Sequence, residues 1–178
     1  RVGAGGAAAW ARGWRGAAGW GGGMRGGSAA PADGAGLAAW WARAQGFAVE
    51  LIAASDRVRA RACADAIGGP RGVAVEIDPR WRELDFGEWD GLAPAAIDPA
   101  ELAAFYDDPD ASPPPNGESW SALQDRVAQA LVTMPPVSTL VVTHGRAIRA
   151  APAGVCGFHR RPVGGFGGSS APPVSPRV

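Results

Sequence analysis

The sequence predicts an α/β fold, a three-layer α/β/α sandwich around a mostly parallel sheet. Three observations predict it. Short apolar runs of strand type recur at "FAVELIAAS" (47–55), "VAVEI" (73–77) and "TLVVT" (139–143). Stretches with helical period or helix-capping residues lie between them. The first and last of these runs pass directly into a helix-like stretch, the pattern of strands joined by crossover helices.

Taken in order, "LAAWWARAQ" (37–45) suits a helix, and "FAVELIAAS" is a strand that ends at Ser55. "SDRVRARACADAIGG" (55–69) reads as a helix with a Ser/Asp N-cap and a glycine stop. Cys63 falls on its inner face. "VAVEI" is the second strand, and "DPAELAAFYDDP" (98–109) a short helix. After the proline-rich loop "SPPPNGES", Trp120, Leu123, Val127, Leu131 and Met134 recur at helical spacing and mark one apolar face. "TLVVT" closes the series as a buried strand, and "GRAIRAA" opens a helix.

Composition narrows the partners. Seventeen basic and seventeen acidic residues cancel, so no bulk attraction to nucleic acid or to an anionic membrane is expected. Trp81, Trp89 and Trp120 have no basic stripe beside them and read as core and rim, not as a base-stacking platform. Two cysteines, Cys63 and Cys156, give no disulfide framework and no metal-ligand spacing. Charged or amide residues interrupt every apolar stretch, and the N-terminus lacks the ordered regions of a signal peptide. A soluble, cytoplasmic protein is the expectation.

Three segments follow. Residues 37–158 form the orderly domain. Residues 1–36 are rich in Gly, Ala, Arg and Trp without a period, and read as a degraded or frame-shifted N-terminal part of that domain. Residues 159–178 are a Gly/Pro/Ser-rich tail, in which His159 receives no role. Every basic residue is arginine, the bias of GC-rich coding DNA. Codons for His-Arg-Arg-Pro at 159–162, shifted forward by one base, can spell Thr-Ala-Asp-Arg, a sensible helix start.

In open parallel sheets ligands bind beyond the carboxyl ends of the strands, where helix N-termini present unpaired N–H groups. Two strand ends carry suitable chemistry. One leads into a helix whose first turns hold Arg57, Arg59 and Arg61, natural anion clamps because a guanidinium meets phosphate oxygens as a fork. The other delivers His144, followed by Gly145, which allows close backbone approach. A third element, "DPRWRELDFGEWDG" (78–91), sets Glu83, Asp85, Glu88 and Asp90 among Trp81, Phe86 and Trp89. A carboxylate against aromatic walls can serve as a general acid, and the residues alone do not choose among the four.

The motifs "AASDRVRARACADAI", "RELDFGEWDG", "PPNGESWSALQDRVAQAL" and "TLVVTHGRAIRA", in that order, resemble the histidine phosphatase superfamily, the phosphoglycerate mutase-like fold. Their flavour is that of the small bacterial branch containing alpha-ribazole phosphatase. The resemblance implies a phosphohistidine mechanism with no metal and no cofactor, acting on a small phosphorylated metabolite. It implies that His144 stabilises charge on the transferring phosphoryl, that Arg59 binds it, and that Glu83 protonates the leaving oxygen. Asn116, Gly117, Glu118 and Ser119 match a turn at the pocket rim.

The family's nucleophile is the histidine of an "RHG" motif at the end of its first strand, and no histidine precedes His144 here. The chain begins "RVG", so Arg1 and Gly3 are read as remnants of that motif, Arg1 as a phosphate ligand, with Val2 in the nucleophile's place. The expected function is therefore a phosphomonoesterase whose usual nucleophile is missing. The alternative is a pseudophosphatase that binds a phosphorylated ligand without turning it over.

Overall fold

A computed structural model describes Met24 and residues 48–151 in full, and residues 8–12 and 152–156 as backbone. The expected helix at 37–45, Arg1, Val2, Gly3 and the tail with His159 lie outside these residues. Among the described residues, four strands pair in one parallel sheet: β1 (Ala8–Arg12), β2 (Leu51–Ala54), β3 (Ala74–Ile77) and β4 (Thr139–Thr143). Their spatial order is β1-β4-β2-β3. The helices are α1 (Val58–Gly68), α2 (Pro99–Asp107), α3 (Trp120–Val132) and α4 (Gly145–Cys156).

The side-chain period of a strand explains the layers. Ile52 and Ala54 of β2, with Leu140 and Val142 of β4, pack on one face against Ala60, Cys63, Ala64 and Ile67 of α1. The intervening Ala53 and Val141 point to the other face, toward Leu123, Val127 and Ala130 of α3 and Ala147 and Ala150 of α4. That second core also takes Trp81, Leu84, Phe86 and Trp89. Fully burying side chains of this size stabilises the fold by about 1.5–3 kcal/mol each. Both β2 and β4 are buried along their whole length, as strands covered by helices on both faces must be.

Two details depart from the sequence expectations. The stretch to which the sequence assigned no period contributes β1, paired in parallel with β4 from Ala8↔Thr139 to Arg12↔Thr143. From the same stretch Met24 exchanges backbone hydrogen bonds with Gly91 and Leu92 and enters the core. The N-cap of α1 is Arg57, without a side-chain cap, and not the expected Ser55 or Asp56. The reason is competition: Ser55 Oγ contacts His144, and Asp56 is engaged by Arg82. The elements at 98–109 and 120–134 appear where expected, capped by Asp98 and Ser119.

Candidate functional site

Parallel pairing of β2 with β4 brings two distant sequence motifs to one point. Ala54 is in register with Val142, and the Ser55 amide donates to the Val142 carbonyl at 3.1 Å. Ser55 and His144 therefore leave the sheet side by side. Their side chains meet, with His144 Nε2 3.0 Å from Ser55 Oγ, and both residues are buried. Burial, reinforced by the positive charges of Arg59, Arg57 and Arg126 and opposed by Asp56, pushes the His144 pKa down from 6.5 to about 3. The imidazole is neutral at pH 7, with one N–H to donate.

Of the four candidate carboxylates from the 78–91 stretch, Asp85, Glu88 and Asp90 are exposed, whereas Glu83 is half-buried. Glu83 Oε1 accepts the backbone N–H groups of Leu84 and Arg146, each at 3.0 Å. Arg146 belongs to the first turn of α4, so the carboxylate sits at the positive end of that helix. A Cβ built on Gly145 would lie 3.9 Å from Glu83 Oε2, which places the glycine directly against the acid. The neighbouring aromatics Trp81, Phe86 and Trp89 are buried in the core. The Arg146 guanidinium lies over the Phe86 ring, 4.5 Å from its centroid.

The segment that carries Glu83 is held from behind by a residue the sequence analysis did not single out. Arg126 donates to the carbonyls of Arg80 (2.8 Å), Arg82 (2.9 Å) and Glu83 (2.9 Å). The same guanidinium pairs with Glu118 at 2.6 and 2.8 Å. Thr143, just before His144, donates to the Trp81 carbonyl at 2.5 Å. Arg82 grips both carboxylate oxygens of Asp56. One signal for Arg126 was present: positions 123, 126, 127 and 130 share the buried face of α3, so an arginine there needed internal acceptors.

The loop at 114–119 closes on the same segment. Glu118 N–H donates to the Asp85 carbonyl and Glu88 N–H to the Pro115 carbonyl, both at 2.9 Å. Gly87 has φ 51°, and a Cβ on it would fall 2.1 Å from the Pro115 oxygen, so this approach requires glycine. Asn116 adopts φ 55° and donates to Glu88 at 2.7 Å.

Of the residues expected from the sequence, His144, Glu83 and Gly145 are neighbours, and Arg59 lies in the first turns of α1, close enough for its charge to bear on His144. Arg1 lies outside the described residues. At the C-terminal end of β1 stands Arg12 instead, in register with Thr143, the residue before His144. Among the described residues no group of three or more His, Cys, Asp or Glu could hold a metal ion. None of the described helices is long and apolar enough to cross a membrane.

The similarities to known proteins agree with this arrangement. The family model for the histidine phosphatase superfamily (branch 1) matches residues 34–168. The chain is 34% identical over 139 residues to a glucosyl-3-phosphoglycerate phosphatase of Mycolicibacterium vanbaalenii, covering 67% of this chain and 60% of the relative. It is 33% identical over 115 residues to a probable phosphoglycerate mutase of Erwinia tasmaniensis, covering 60% and 53%. It thus spans between half and two thirds of the length of these curated relatives. A solved mycobacterial glucosyl-3-phosphoglycerate phosphatase superposes with a TM-score of 0.68 at 26% identity, over 77% of this chain and 73% of that one. With its motifs, its sheet and its family match in agreement, the chain belongs to the histidine phosphatase superfamily, branch 1.

Proposed function

We propose that this chain is a phosphomonoesterase of the histidine phosphatase type, acting on a small phosphorylated metabolite at the C-terminal ends of β2 and β4. One observation carries the reading: the buried 3.0 Å contact between His144 and Ser55, with Glu83 held on the first turn of the helix that follows His144. In this reading the Arg59 fork and a His144 N–H face the phosphoryl oxygens, and the α4 N-terminus beside Gly145 adds its positive dipole. Water forms the new P–O bond as the bond to the leaving oxygen breaks; protonated Glu83 gives its proton to that oxygen and recovers one from the attacking water, so that ester and water yield an alcohol and inorganic phosphate.

A second reading, phosphate binding without turnover, is favoured by the absence of any histidine before His144. The family's covalent step needs that nucleophile. Assays with p-nitrophenyl phosphate and with vanadate separate the two. Turnover that falls at least 100-fold in His144→Ala supports the esterase. A vanadate-induced rise in melting temperature without turnover supports the binding protein. A folded protein that shows neither overturns both. Phosphoglycerate and glucosyl-3-phosphoglycerate, taken from the relatives, and alpha-ribazole phosphate, suggested by the motifs, form the first substrate panel.

A further inference from the structure

One guanidinium N–H at this site lacks an acceptor. Arg57 is half-buried at the N-cap of α1, and its Nε is fully buried with no hydrogen-bond partner. Its nearest carboxylate in sequence does not serve it, because Asp56 presents both oxygens to Arg82. The Arg57 amide donates to Ser55 Oγ at 3.3 Å, and that same hydroxyl contacts His144 Nε2, so the residue is tied to the centre of the site through one shared oxygen. A buried guanidinium N–H left without an acceptor costs about 1–3 kcal/mol. Folding offers no relief for that cost, and an incoming oxyanion would remove it.

We infer that Arg57 is a ligand-reading residue of this pocket, donating from Nε to an oxyanion of the bound phosphate ester, in addition to Arg59. The inference rests on the phosphate-site reading above and adds a residue to it. Guanidinium suits the role because its planar fork keeps the Nε donor fixed in direction, which a lysine ammonium does not. The oxyanion has two chemical sources: the transferred phosphoryl itself, or a second acidic group on the metabolite.

The test titrates inorganic phosphate and 3-phosphoglycerate, which carries a carboxylate as well, into the full chain by calorimetry. The variants are Arg57→Leu, Arg57→Lys, Arg59→Ala and, beyond the far end of α1, Arg71→Ala, with thermal unfolding run in parallel. Arg57→Leu should weaken binding about 10-fold or more, in line with the loss of one charge-assisted hydrogen bond. Arg57→Lys should recover only part, and Arg71→Ala should change nothing beyond about twofold. Equal weakening for both ligands assigns Arg57 to the phosphoryl; weakening for 3-phosphoglycerate alone assigns it to the second acid. Unchanged affinities in both Arg57 variants, with Arg59→Ala impaired, overturn the inference and leave the pocket standing. If wild type binds neither ligand, or Arg59→Ala is also silent, the phosphate-site reading falls with it.

Discussion

Arg126 and Arg57 both place positive charge near His144, yet their surroundings are opposite. The α3 guanidinium meets three backbone carbonyls and the Glu118 carboxylate, whereas the Nε at the head of α1 meets no acceptor. The first arrangement fixes a loop; the second is incomplete without a ligand. A site needs both kinds of cation, because a proton donor works only from a set position and an anion binds only where donors are left open. Burial alone does not distinguish the two roles. Partner count does.

The largest effect follows from breaking the satisfied side. Arg126→Ala leaves the carbonyls of Arg80, Arg82 and Glu83 and the half-buried Glu118 without their donor. Removing one partner from such a network costs about 3 kcal/mol or more. The urea midpoint should fall accordingly with an unchanged m-value. Arg126→Lys should recover little, because a compact ammonium cannot span three carbonyls and a carboxylate. A loss below about 1 kcal/mol would mean that the segment around Glu83 holds itself in place.

The next effect is on pH dependence. His144 titrates near 3 in the folded chain and at 6.5 when unperturbed. Between these values the unfolded chain takes up a proton that the folded chain refuses, so stability rises with pH across the window. The contribution is complete above 6.5 and is lost as pH falls toward 3, with a slope of up to about 1.4 kcal/mol per pH unit. Asp56, held below 3.8 by hydrogen bonds from Arg82, adds a loss of the same sign only at the acid end. His144→Asn should therefore flatten the curve between pH 6 and 4 and leave the acid limb below 4 in place. A curve that is already flat there in the wild type would contradict the buried, neutral histidine.

Much of this was legible from residues alone. "TLVVT" is apolar without alternation, which only a strand covered on both faces tolerates, and it is buried at every position. His144 and Gly145 announced themselves by standing at that strand's exit. Glu83 was not separable from Asp85, Glu88 and Asp90, because what distinguishes it is an amide 63 positions away in the chain, that of Arg146. Arg12 was hidden for another reason. "AAWAR" has neither β-branched residues nor alternation, and it becomes a strand because the edge of β4 supplies hydrogen-bond partners. The cap of α1 was misread because Ser55 and Asp56, good capping residues in isolation, have stronger partners in three dimensions.

The smallest effect sharpens the open side. Without ligand, Arg57→Ala should change stability by no more than about 0.5 kcal/mol, in contrast to Arg126→Ala. Deleting the orphaned N–H removes its desolvation cost, while deleting the aliphatic stem removes a comparable amount of packing. The same substitution should raise the His144 pKa only part of the way toward 6.5, as followed by the imidazole proton shifts in NMR. Burial is the leading cause of the depression and Arg59 the next, and both remain in the variant. A full return to 6.5 would mean that Arg57's charge, and not burial, keeps this histidine neutral. Arg57 would then act through His144 rather than on the ligand, and the contrast with Arg126 would be one of electrostatic reach instead of unfilled valence.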